Sequence, residues 1–163
     1  MQELISTLTI WALPVLFAIT LHEAAHGYAA RYFGDSTAER AGRISLNPLR
    51  HIDPMGTVIV PALIVAVSAL SSGSAMLFGW AKPVPVNFGR LRNPKADMLW
   101  VAAAGPFANL VMALGWALLF RIAIMAPENI YALPMAKMAD AGMQINAVLM
   151  LLNLLPLPPL DGG

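Results

Sequence analysis

The chain has 163 residues, of which 58% are hydrophobic and only 12% are charged. Soluble domains usually carry about 25% charged residues, so this composition excludes an ordinary soluble domain and predicts an integral membrane protein embedded in the lipid bilayer. The net charge of +1 gives no reason to expect a nucleic-acid partner, and the absence of cysteine excludes disulfides and thiolate metal ligands.

Apolar blocks follow one another along the chain, and each is long enough to cross a membrane, which takes about 20 residues. They cover residues 4–32, 55–80, 98–125 and 141–160. The N-terminus lacks the basic region and the cleavage site of a secretory signal, so we expect the first block to be retained as a membrane helix. The sequence therefore predicts a single all-α, polytopic membrane domain over residues 1–163.

The first block carries an H-E-x-x-H motif, which is formed by His22, Glu23 and His26. On a helix, residues four apart share a face with their Cβ atoms about 5–6 Å apart, and two imidazoles so placed can bind one metal ion, typically zinc. Glu23 is then within reach of a water at that ion and can act as its general base. A chance motif is the alternative, but ionisable residues inside an apolar block are costly and by default indicate a functional site.

The distribution of basic residues predicts the orientation of the blocks. Both the segment after the first block and the segment before the third are basic, which places both in the cytoplasm by the positive-inside rule. Both can be cytoplasmic only if block 55–80 forms a hairpin or re-entrant element, and its Ser71–Ser74 stretch offers a point of reversal. Block 98–125 would then run outward and block 141–160 inward, which brings Asp161 to the cytoplasmic side beside His26.

A catalytic zinc site needs a third protein ligand and an open position for water. Asp161 directly follows the last apolar block, where an ionised carboxylate is energetically unfavourable unless it is paired or bound to metal. We therefore predict one zinc ion per chain, held by His22, His26 and Asp161; an ordinary turn residue is the alternative for Asp161. The remaining histidine, His51, is explained more simply as a loop residue than as a proton shuttle or a group supporting the ligands.

Further motifs extend this pattern in a fixed order. Residues 105–109 read Gly-Pro-Phe-Ala-Asn, and residues 153–162 read Asn-Leu-Leu-Pro-Leu-Pro-Pro-Leu-Asp-Gly. Together with the H-E-x-x-H motif they resemble the three motifs of the site-2 protease family of intramembrane zinc metalloproteases, over nearly the whole chain. The sequence has no stretch able to form a PDZ domain, and residues 43–54 resemble a stretch of compact prokaryotic members.

The resemblance implies a zinc endopeptidase that cuts in or near the transmembrane segments of membrane-anchored proteins. It implies a multi-pass protein of a prokaryotic cell membrane, with the active site towards the cytoplasm. His22, His26 and Asp161 would be the zinc ligands, Glu23 the catalytic base, and Asn153 a residue that holds substrate or the developing oxyanion. Family members continue beyond this aspartate, so the chain is expected to be truncated at its C-terminus.

Other functions remain possible at the level of sequence. An inactive relative that binds membrane helices is disfavoured because Glu23 and the three expected ligands are all present. A small metal transporter would be expected to show repeat symmetry, and none is visible. For Asn109, which follows a run of small residues, close helix packing is favoured over a chemical role.

Overall fold

A computed structural model describes residues 2–51, 53, 55, 59, 63, 82–156 and 161. Within this part of the chain the secondary structure is helical and contains no strand, which confirms the prediction of an all-α protein there. The elements are α1 (Gln2–Tyr32), α2 (Thr37–Arg40), the 3-10 turns Pro48–Arg50 and Phe88–Arg90, α3 (Pro94–Met125) and α4 (Ala132–Asn153).

Among the described residues, α1 and α3 are long and apolar enough to cross a membrane, over Ser6–Tyr32 and Pro94–Met125. Their outward faces carry large apolar side chains: Leu114, for example, is 64% exposed and Leu118 is 63% exposed. Such a surface is unfavourable in water but not against lipid tails. These two helices are consistent with membrane association.

Helices α1, α3 and α4 pack against one another. Because His26 bonds to Val101 while His22 bonds to Asn109, α1 and α3 run antiparallel. The interfaces between the helices use small buried residues, which allow the close approach that membrane helices favour. At Gly142 of α4, a Cβ atom would lie 2.3 Å from the Trp116 ring of α3, so only glycine fits.

The chain between α1 and α3 begins and ends at one end of the bundle. The Lys82 N–H donates to the His51 carbonyl at 2.9 Å, and the Arg92 N–H donates to the Phe33 carbonyl at 3.0 Å. The predicted hairpin in block 55–80 falls outside the described residues apart from positions 55, 59 and 63. Its two flanks nevertheless meet, as a hairpin or re-entrant element would require.

Asp35 joins the end of α1 to the segment before α3. Its carboxylate accepts hydrogen bonds from the Thr37 hydroxyl and N–H, at 2.5 and 2.9 Å, and from the Asn87 N–H at 2.6 Å. Burial opposes ionisation, but these bonds and nearby Arg90 hold the pKa of Asp35 below its usual value. Its contribution to stability is therefore complete above the unfolded-state pKa and is lost as the pH falls through the lowered one.

We expect Gly142→Ala to destabilise the bundle, because the added methyl would overlap the Trp116 ring and overpacking costs about 1–3 kcal/mol. Gly115→Ala in α3 is the matched control, since its Cβ would meet nothing within 4 Å. Thermal unfolding in detergent should show a lower Tm for Gly142→Ala and an unchanged or slightly higher Tm for Gly115→Ala. Equal Tm values for the two variants would contradict the packing described here.

Candidate metal centre

Helix α1 presents His22 and His26 on the face that packs against α3. Both residues are buried, with relative exposures of 6% and 8%. Their rings meet edge to face, with centroids 4.7 Å apart, and their Nε2 atoms are 3.1 Å apart. The four-residue spacing thus produces the paired imidazoles that the sequence predicts.

Asp161 completes a group of three possible ligands. Its Oδ2 lies 3.0 Å from Nε2 of His22 and 3.1 Å from Nε2 of His26. These are the described residues whose ligand atoms converge, all within 4.8 Å of one another. The structure therefore brings the three predicted zinc ligands together, and their binding of zinc stays a prediction.

The second ring nitrogen of each histidine is already bonded, and this determines what the first can do. The His26 Nδ1 lies 2.7 Å from the Val101 carbonyl, which can only accept, so Nδ1 carries the proton. The His22 Nδ1 lies 2.5 Å from Oδ1 of Asn109, which is likewise an acceptor. In the neutral rings, both Nε2 atoms then present lone pairs towards the Asp161 carboxylate.

This arrangement fits a zinc ion. Two nitrogen lone pairs and a carboxylate oxygen repel one another unless a cation lies between them. Ligand atoms at 2.0–2.1 Å from a tetrahedral zinc are about 3.3 Å apart, close to the separations found here. Nitrogen and carboxylate ligands supported by further hydrogen bonds are the usual donor set of such sites.

Gly105 of α3 makes room for the two imidazoles. A Cβ atom on this residue would lie 2.4 Å from Nε2 of His26 and 2.7 Å from Nε2 of His22. Any side chain at this position would therefore displace the histidines. The space needed by the two imidazoles thus explains why the motif of residues 105–109 begins with glycine, which the sequence alone did not reveal.

Glu23 is held by a different part of the chain. Its side chain is half-buried, and Oε2 accepts a hydrogen bond of 2.8 Å from the Val84 N–H. Val84 lies between two prolines in a segment without regular secondary structure, and it packs beside Gly27 of α1. Because this bond engages Oε2, the second oxygen of the carboxylate is the one available to a water.

The other polar residues named from the sequence lie in different settings. Asn109 is fully buried between helices and also bonds to His22, so it does more than pack. Asn153 ends α4 and donates to the Leu149 carbonyl of its own helix at 3.0 Å, so its predicted role in catalysis stays a prediction. His51 is buried in the loop. Its Nε2 donates to the Ser45 carbonyl at 2.8 Å, whereas its Nδ1 has no partner among the described residues, so the loop interpretation stays a prediction.

Sequence reasoning missed two residues at this site. Asn146 of α4 is fully buried and accepts a hydrogen bond from the Asn109 amide at 2.8 Å. An amide inside an apolar helix was the available signal, because such residues are costly in a membrane unless they are paired. The Val84 N–H gave no signal, because a backbone group has no sequence identity.

Comparisons with known proteins point to one class of enzyme. No protein-family model and no solved structure matches the chain. "Putative zinc metalloprotease YwhC" of Bacillus subtilis is 38% identical over 161 residues, which are 97% of this chain and 68% of the relative. "Putative zinc metalloprotease Rip2" of Mycolicibacterium smegmatis is 32% identical and that of Mycobacterium tuberculosis 30% identical, each over 90% of this chain and 52% of the relative.

We expect Gly105→Ala to lower zinc affinity by at least about tenfold, because its methyl group would overlap the Nε2 atoms that must face the metal. Gly115→Ala, in the same helix and with open space around its Cβ, should bind zinc as the unmodified chain does. Competition with a chelator of known affinity would measure both variants. Unchanged affinity in Gly105→Ala would mean that zinc does not bind at these histidines.

Proposed function

The chain belongs to the zinc metalloprotease family of YwhC and Rip2, and from this premise we propose that it is an intramembrane endopeptidase of the site-2 protease type. Its substrates are membrane-anchored proteins, cut in or near a transmembrane segment. The observation that carries the proposal is the convergence of His22, His26 and Asp161 beside two helices long and apolar enough to cross a membrane. The chain spans 68% of YwhC and about half of Rip2, so activity, substrates and partners are proposed here for the whole protein.

The position of the site along α1 supports cleavage near one membrane surface. His22 lies 18 residues after Leu4, where the apolar block begins, which is about 27 Å of helix at 1.5 Å rise per residue. The hydrocarbon core of a bilayer is about 30 Å thick, so the site is inside the membrane yet close to water. Exposed arginines flank this end of the bundle, which favours the cytoplasmic side under the positive-inside rule: Arg31, Arg40, Arg50, Arg90 and Arg92.

Each residue has a distinct role in the proposed hydrolysis. His22, His26 and Asp161 hold zinc, which when bound supplies Lewis-acid activation of water and of the scissile carbonyl. Glu23 accepts the proton of the attacking water and later donates it to the leaving amine. The scissile amide must be extended to be attacked, so the substrate helix unwinds locally in the cleft.

Asn153 is proposed to hold the substrate backbone or the developing oxyanion, which a side-chain amide can do by donating a hydrogen bond. Its amide now bonds to the Leu149 carbonyl one turn earlier in α4. Binding of substrate would therefore exchange this bond for one to the substrate. Asn153 ends its helix, so such a rotation needs no break in the helical backbone.

The test of this function separates zinc binding from hydrolysis. In proteoliposomes with a membrane-anchored model substrate, Glu23→Gln should abolish cleavage and keep about one zinc per chain, because it removes the base and no ligand. Asp161→Ala should lose both zinc and cleavage, because it removes a ligand. Metal flux without cleavage in the unmodified chain would instead indicate a transporter, and zinc binding without cleavage an inactive relative.

The Val84 N–H is expected to support Glu23 in catalysis. Val84→Pro removes this donor at a position that already precedes a proline and is therefore biased away from helical backbone. This bond positions the Glu23 carboxylate, and a misplacement of about 1 Å can cost about 100-fold in rate, so kcat should fall roughly tenfold or more while zinc is retained. Val84→Ala, which loses the side chain but keeps the N–H, is the control and should lose much less; equal losses would show that packing alone matters.

A further inference from the structure

A line of buried hydrogen bonds leads from His22 into the interface between α3 and α4. Nδ1 of His22 is 2.5 Å from Oδ1 of Asn109, and the Asn109 Nδ2 is 2.8 Å from Oδ1 of Asn146. The Asn146 Nδ2 in turn donates to the Gly142 carbonyl at 2.8 Å. Both asparagines are fully buried, so no bulk water can replace a lost partner.

The Gly142 carbonyl, at the end of this line away from His22, determines how each side-chain amide in the line is oriented. A backbone carbonyl only accepts hydrogen bonds, so the Gly142 carbonyl requires Asn146 to turn its Nδ2 towards it. Oδ1 of Asn146 then faces Asn109 and requires the Asn109 Nδ2 in return. The Asn109 Nδ2 also lies 3.4 Å from the Ala18 carbonyl oxygen, to which its second hydrogen can be donated. This longer contact favours the same orientation of the amide.

The orientation of Asn109 decides which nitrogen of His22 carries the proton. With Oδ1 facing the ring, the Nδ1 of His22 must donate, and Nε2 keeps the lone pair that a metal needs. If the amide of Asn109 were reversed, its Nδ2 would face Nδ1, and the ring proton would move to Nε2. That proton would point at Asp161 and His26, where zinc is proposed to bind.

We infer that Asn146 is a positioning residue of the metal centre, which sets the tautomer of His22 by fixing the amide of Asn109. This inference rests on the proposed zinc site. It adds to that site a residue of α4, a helix that carries neither of the two histidines. The two histidines differ in this respect. The Nδ1 of His26 bonds to the backbone carbonyl of Val101, which cannot reverse, so His26 needs no such support.

The first test replaces Asn146 and measures zinc affinity and the tautomer together. Asn146→Leu removes the acceptor that orients Asn109, and its zinc affinity should fall about 10–100-fold, the usual range for groups behind a ligand. Nitrogen NMR of the metal-free protein, at a pH high enough for the His22 ring to be neutral, should show His22 protonated at Nδ1 in the unmodified chain and a mixture of tautomers in Asn146→Leu. Asn146→Asp is the conservative control: its carboxyl group still accepts from Asn109, so the tautomer and most of the affinity should be retained.

The second test separates orientation from packing. Asn109→Asp offers only acceptors to His22, so the tautomer no longer depends on residue 146. In the Asn146→Leu background, adding Asn109→Asp should raise zinc affinity by at least about tenfold. This increase should be larger than the increase that Asn109→Asp produces in the otherwise unmodified chain. A gain of the same size in both backgrounds would reflect the added charge and would overturn the inference.

Zinc affinity of Asn146→Leu equal to that of the unmodified chain would also overturn the inference. If Asn146→Leu does not fold, Asn146→Asp and the NMR measurement on the unmodified chain decide it, because a neutral His22 protonated only at Nε2 contradicts the proposed direction. None of these measurements depends on proteolysis. A chain that binds zinc with the expected tautomer but cleaves nothing would refute the proposed function and leave the role of Asn146 intact.

Discussion

The close approach of α1 to α3 at Gly105 is the constraint on which the site depends. Three positions of α3, each four residues from the next, meet the two histidines: Val101 bonds to His26, Gly105 leaves space for both rings, and Asn109 bonds to His22. Residues four apart lie on the same face of a helix. The four-residue spacing along α3 therefore faces the four-residue spacing of His22 and His26 along the antiparallel α1. A change in the separation or register of the two helices would disturb all three contacts together.

Burial in an apolar bundle makes packing and chemistry depend on the same residues. The outward faces of the long helices are apolar, while the polar side chains between them are paired with one another. Inside a membrane an unpaired amide is costly, so Asn109 and Asn146 stabilise the α3–α4 contact by bonding to each other. The same pairing orients His22. Gly142 contributes twice, since its missing side chain admits Trp116 and its carbonyl anchors Asn146.

The part of the site that the sequence predicts is the part set by local spacing. His22 and His26 lie one helical turn apart, and Asp161 was identified because a carboxylate after an apolar run needs a partner. Contacts between helices depend on register, which a single sequence does not specify, so Asn146 and the Val84 N–H were missed. Helix α4 begins at Ala132, whereas the apolar block begins at residue 141, because Lys137 and Asp140 lower the hydropathy of turns that are still helical.

The proposed metal ligands and the proposed catalytic base are positioned by separate parts of the chain. The proposed zinc ligands depend on α1, α3 and the end of the last apolar block, whereas Glu23 depends on the segment that contains Val84. That segment is fixed at both ends, by the His51 carbonyl at Lys82 and by the Asp35 carboxylate at Asn87. A change in this segment can therefore move the base and leave the metal ligands in place. The proposed hydrolysis and the proposed metal binding are then separable properties, and a measurement of zinc binding alone would not report on the position of Glu23.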